Sequence, residues 1–348
     1  MASVISSLSS SQMSYLSQGQ MQKLNSADVS AIGTQQLAGL SSTQISGIQI
    51  ADVVDISTTA LAALQSSQVG GLTTGQVGAL NTSQFQAMSS QIGQLTGTQA
   101  AALTNGEIGS MSSSEFHSLQ SSAVAALTSK QMAAMTTDTI AGLSTDLVSS
   151  LSSSALGALS TAMVQALGTN QLQNLGTSQV KAFTSGQMAG LGTVGIQALA
   201  GTSTISSLST SAIAALSTDQ LETGLGTSNI TQLSTAQMAA LTTSQINTMG
   251  TDLISNLQSN QVGAITSKQI GGLTSAGLAA LGTSLISSMS TADVATLSTA
   301  QLQGLTSDEM ANMLTSQLHA LTTGQLASLG TDQLAGLTTT AQIQALNV

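Results

Sequence analysis

Ser234-Thr235-Ala236-Gln237-Met238-Ala239-Ala240-Leu241 is followed at once by Thr242-Thr243-Ser244-Gln245-Ile246-Asn247-Thr248-Met249. Both octets open on two hydroxyl residues, carry Gln at position four and an aliphatic residue at position five, and close on a small or polar residue and then Leu or Met. Outward from this pair, residues 226–337 divide without remainder into fourteen such blocks. Self-similarity at a fixed short period is the signature of a repeat architecture and takes precedence over any motif search.

The register runs in both directions. Residues 1–88 give eleven octads, 89–95 a seven-residue block, 96–199 thirteen octads, 200–208 a nine-residue block and 209–216 one octad. Residues 217–225 form a second nine-residue block, and 338–346 a third. The chain, residues 1–348, reads as a single continuous repeat domain of 43 blocks. Position eight is Leu, Ile, Met or Phe in every block, and position five is aliphatic or Phe throughout except at Ala100. Two positions so restricted must face a common interior, and a block of eight residues cannot bury them alone. Stacked neighbours supply the core, so stability sums over blocks and their nearest-neighbour contacts.

Positions five and eight are i and i+3, neighbours on one helix face, whereas a half-buried strand alternates with period two. Ser or Thr at position one with Gln at position four is the capping-box spacing that opens a helix. Acids agree: Asp138, Asp146, Asp219, Asp252, Asp308 and Asp332 occupy position three, and Asp28, Asp52, Glu107, Glu115, Asp293 and Glu309 position four. Carboxylates favour the first helical turn, where the backbone carries partial positive charge. Gly at the opening of a block (Gly168, Gly176, Gly226, Gly250, Gly282, Gly330) is expected in the left-handed position that closes the preceding helix. The fold expected is all-α, a solenoid of very short helices, one per block. Its small seventh residue lets successive turns approach closely. The rival is a β-solenoid with Thr ladders at position two and Gln ladders at position four, since Thr, Val and Ile favour strands.

Composition narrows function. Charged residues are 5% and aromatics 1%, unlike an ordinary enzyme, and no apolar run approaches the length of a membrane span. The net charge of −10, with Lys23, Lys130, Lys181 and Lys268 as the basic residues and no Arg, speaks against nucleic acid and anionic membranes. With no Cys there is no thiolate nucleophile or zinc–cysteine site. His117 and His319 read as solvated substitutions in variable slots. Asp52 with Asp55 and Asp308 with Glu309 are weighed as calcium ligands, but the helix-start reading already accounts for Asp52, Asp308 and Glu309. The expectation is no catalytic, cofactor-binding or metal-binding residue and no enzyme activity.

The nonapeptide Leu297-Ser298-Thr299-Ala300-Gln301-Leu302-Gln303-Gly304-Leu305 resembles the L-T/S-T-x-Q-φ-x-x-L repeat regions of large bacterial secreted and cell-surface proteins of the adhesin type. The resemblance implies a bacterial, extracellular or cell-surface structural role, with export through a type I apparatus that leaves no cleaved leader. The chain departs from those proteins in carrying no recognisable calcium repeats and no separate binding domain. On this reading it is a structural, non-catalytic protein that self-assembles into a fibre, sheath or surface layer. Its partners are further copies, through end-to-end and lateral contacts, because the blocks run from Met1 to Leu346 and leave little chain for polar caps. The alternative is a surface-binding module, a glycan adhesin or an ice-binding protein, using the repetitive Ser/Thr/Gln face.

Overall fold

The structure is a computed structural model that describes residues 3–346, with Ser284 and Leu285 described by their backbone alone. Met1, where the first block is read to begin, lies outside the described residues. The described residues form a succession of α-helices of four to six residues, interrupted by short 3-10 segments, and contain no strand. The one longer α-helix is Thr193–Ala200, of eight residues. The all-α reading stands, and the β-solenoid is excluded. Backbone contacts divide the chain into two compact units, Met1–Ala182 and Phe183–Val348, each a coil of stacked turns.

The block at Thr242 shows why eight residues make one helix. Thr242 is extended (φ −71°, ψ 156°) and its hydroxyl accepts from the Gln245 amide at 3.1 Å. The Gln245 side-chain oxygen in turn accepts from the Thr242 backbone N–H at 2.7 Å. With its first N–H groups satisfied, the helix runs Thr243–Thr248, and Met249 returns to extended geometry (φ −60°, ψ 128°). Positions eight and one thus form a two-residue corner. A helix this short does not persist alone, so packing must hold it.

Packing comes from the turn above and the turn below. Helices touch those three blocks further along: Gly97–Ala102 lies against Ser121–Ala125 in the first unit, and Thr210–Ala214 against Thr235–Ala240 in the second. Positions five and eight point inward as expected; Ile246, Met238, Leu241, Val294 and Leu302 are all buried. Ala100, the small residue at position five, is buried too. Position seven is where turns meet backbone to backbone. A Cβ on Gly39, Gly71 or Gly336 would collide with the backbone of Ser10, Ser42 or Ser307 in the neighbouring turn.

The block-opening glycines correct the sequence reading. Gly168, Gly176, Gly250 and Gly330 are extended N-caps with φ between −66° and −90°, a conformation open to any residue. Only Gly226 and Gly282 are left-handed, at φ 69° and 68°. The corner needs no left-handed residue because both of its positions are extended, which swings the chain from one helix to the next without a Schellman closure.

Candidate functional site

The glutamine at position four is the most heavily used side chain in the molecule. In the capping box its oxygen accepts from the N-cap amide. Its Nε2 group then crosses to the preceding turn. Gln68 donates to the carbonyls of Leu37 and Leu40, both at 2.8 Å. Gln76 donates to those of Ile45 and Ile48 at 2.8 and 2.7 Å, and Gln301 to those of Ile270 and Leu273 at 2.9 and 2.8 Å. The acceptors are the position-five carbonyl, which also takes the position-eight N–H of its own block, and the position-eight carbonyl, left without a backbone donor where the helix ends. A carboxamide offers one acceptor oxygen and two N–H donors, so each of these buried glutamines is fully satisfied. We call this arrangement a staple.

Staple spacing gives the pitch of the coil. Gln301 reaches back 31 and 28 residues, to the block four before its own, while helix packing joins blocks three apart. One turn therefore takes between three and four blocks. Where the seven-residue block 89–95 intervenes, Gln99 reaches Val69 and Leu72, 30 and 27 residues back. Across the nine-residue block 217–225, Gln237 reaches Ile205 and Leu208, 32 and 29 residues back. The register is kept by block, and the residue count adjusts.

A second set of turn-to-turn bonds uses hydroxyls at position two. Ser113, Ser129 and Ser153 donate to the backbone carbonyls of Asp138, Ser154 and Ser178 at 3.1, 3.0 and 2.9 Å, and Ser275 donates to that of Ala300 at 2.9 Å. These hydroxyls brace the coil.

Where position four is not Gln, the staple changes. Thr139 keeps one long bond, to the Met111 carbonyl at 3.4 Å. Ala60, Ala123, Ala155 and Ala212 supply no side-chain hydrogen-bonding group, though each is buried. Glu107 caps as Gln would: its Oε2 accepts from the Thr104 backbone N–H at 2.6 Å and hydroxyl at 2.9 Å. Its other oxygen, Oε1, is buried without a hydrogen-bond partner. Burial pushes the Glu107 carboxyl above its ordinary value, against the lowering effect of the two bonds from Thr104.

The other residues weighed from sequence do not converge. His117 is exposed, with Nδ1 2.9 Å from the Ser113 carbonyl, and His319 is exposed. Asp52 and Asp55 lie on the 3-10 helix Ile50–Asp55, where Asp55 accepts from the Ser26 hydroxyl at 2.5 Å. Asp308 and Glu309 open the helix Ser307–Ala311, Glu309 taking the capping role toward Thr306. Among the described residues no three of His, Cys, Asp and Glu are placed to hold a metal ion. Of the surface depressions, one is lined by Ser10, Ser14, Thr34 and Gln35 and another by Ile48, Ile50 and Ala51 beside Ser46 and Gln49. Among the described residues no helix is long and apolar enough to cross a membrane.

The staple is what sequence reasoning missed. A signal for it existed: a capping box accepts Glu as readily as Gln, and the helix start favours a carboxylate. The prevalence of Gln over Glu at position four therefore points to a need for the amide N–H groups. No curated protein matches the chain. Three stretches of it, residues 45–82, 164–193 and 310–348, match the family model of the ALTTAQ repeat, and these matches identify a repeat-protein region.

Proposed function

We propose that this repetitive protein is a structural, non-catalytic component of a bacterial extracellular or cell-surface assembly, in which copies associate into a fibre, sheath or surface layer. The observation that carries the reading is the polarity of the staple. Each turn offers glutamine amide donors on one face and backbone carbonyl acceptors on the other, so the two faces are unlike and complementary. A contact between unlike faces is heterologous, and heterologous contacts that do not close into rings propagate as filaments. The apolar residues Leu334 and Ile343, 46% and 56% exposed, would be covered by the same stacking. The alternative, glycan or ice binding through a regular hydroxyl face, is the weaker reading because serines at position two are spent on turn-to-turn bonds.

The test is light scattering and electron microscopy of the purified 348-residue chain over a range of concentrations. Filaments that lengthen with concentration are expected, and Leu334→Asp with Ile343→Asp should shorten them, since a buried unpaired charge is costly. A monodisperse monomer at high concentration, with the helical circular-dichroism signal intact, would overturn the proposal.

A further inference from the structure

Glu107 stands at a position where most blocks place a fully satisfied amide; Asp293 and Glu309 are also buried carboxylates at this position, but it is the second oxygen of Glu107 that is buried without a partner. The neighbouring staple on Gln99 reaches the carbonyls 30 and 27 residues back. Counted from Glu107 across the same short block, those acceptors are the carbonyls of Val77 and Leu80. A carboxylate has no proton to give them, and its Oε1 is buried with no partner. A buried anion facing carbonyl oxygens is doubly disfavoured, by desolvation and by repulsion from the oxygen lone pairs. A neutral carboxylic acid removes both penalties, because the hydroxyl it carries is a donor.

We propose that Glu107 is a proton-binding site between two turns of the coil: it is held as the neutral acid, with the Oε1 hydroxyl directed at the Val77 and Leu80 carbonyls, and ionisation loosens the stack at this turn. The helices packed against Asn105–Ser110 are Thr82–Ala87, which carries no titratable group, and Ser129–Ala133, whose one charged residue, Lys130, is exposed. Along the chain the next helix, Ser113–Ser118, carries Glu115 and His117. Glu115 occupies the same place in the following block, but it is only partly buried and solvent reaches it.

The direction of the pH effect follows. A carboxyl raised on folding contributes stability that is complete below its unfolded value and is lost as pH rises through the folded value. The turn at Glu107 should therefore be tightest in acid and loosen toward neutral pH, opposite to the usual behaviour of a carboxylate.

The experiment uses the whole chain and two readouts. In the unmodified protein with 13C-labelled glutamate, the Glu107 carboxyl should titrate above the ordinary glutamate range. By hydrogen exchange, E107Q should slow opening of residues 74–111 about tenfold at neutral pH, the scale of relieving one unsatisfied buried group, and should flatten the pH dependence there. E115Q should leave that dependence in place. Titration of Glu107 within the ordinary glutamate range, or a pH dependence of exchange unchanged in E107Q, would overturn the assignment.

Discussion

The regular run of residues 226–337 and the irregular stretch 200–225 just before it obey the same rule with different backbones. In the regular run most blocks are a capped helix and an extended corner, and Gln261, Gln269 and Gln301 reach back 31 and 28 residues. In the irregular stretch, two blocks of nine residues must fit the same stack. The first leaves the eight-residue helix Thr193–Ala200, passes through Ser203 at φ 60°, and re-enters on the 3-10 turn Ile205–Ser207. The second takes up its extra residue as the π-helix Gln220–Leu225, followed by Gly226 at φ 69°. A single residue inserted into a helix is commonly housed as a π-bulge. Across the first, Gln220 still finds the carbonyls of Met188 and Leu191, and across the second Gln237 finds those of Ile205 and Leu208. The fold protects the staple and lets the backbone absorb the insertion.

Seven substitutions at four kinds of position probe that contrast, from the largest effect downward. Leu241, 3% exposed, stands at position eight of the regular run. Leu241→Asp should cost several kcal/mol, roughly 3–5, as an unpaired buried charge, while Ser244→Asp at an exposed first-turn site should be neutral within about 0.5 kcal/mol. Chemical denaturation of the two variants measures this, and equal losses would refute the inward assignment. Next comes the staple itself. Gln245→Ala should cost about 1–3 kcal/mol by orphaning the buried Leu216 carbonyl, with Gln220→Ala costing as much if the irregular stretch depends on the same bonds. A negligible loss at Gln220 would mean that the π-helix is held by something else. The cap comes third: Thr242→Ala should lose about 1 kcal/mol. The smallest effect expected is at Gly324, inside a helix, where a Cβ meets nothing within 4 Å, so that Gly324→Ala should be neutral or stabilising; Gly226→Ala, also in open space but at φ 69° and ψ 175°, a backbone region nearly closed to other residues, should cost about 1–3 kcal/mol. Thermal unfolding resolves the sign.

Much of this was legible in the sequence because the determinants are local. Positions five and eight of one block, its hydroxyl cap and its glutamine fall within eight residues, and their spacing selects a helix over a strand. The pitch was not legible. The acceptors of Gln301 lie 31 and 28 residues earlier, and in a chain where every block looks alike nothing marks which earlier block is the partner. The glycines at block openings misled for a related reason: a Gly after a helix signals left-handed closure only when the chain reverses there, and here it moves on through an extended corner. The carboxyl at position 107 read as a favourable first-turn acid, which it is toward Thr104. The cost on its other oxygen arises from a turn that the sequence does not show.

Each staple points backward, from a donor to carbonyls made 27 to 32 residues earlier. For a chain emerging from the ribosome, every acceptor is already in place when its donor appears, and no staple waits for a distant, unmade segment. Contacts of such short sequence separation favour rapid folding. The molecule can thus be completed in the order of its synthesis, one turn laid on the last, with the unfinished portion never longer than about a turn.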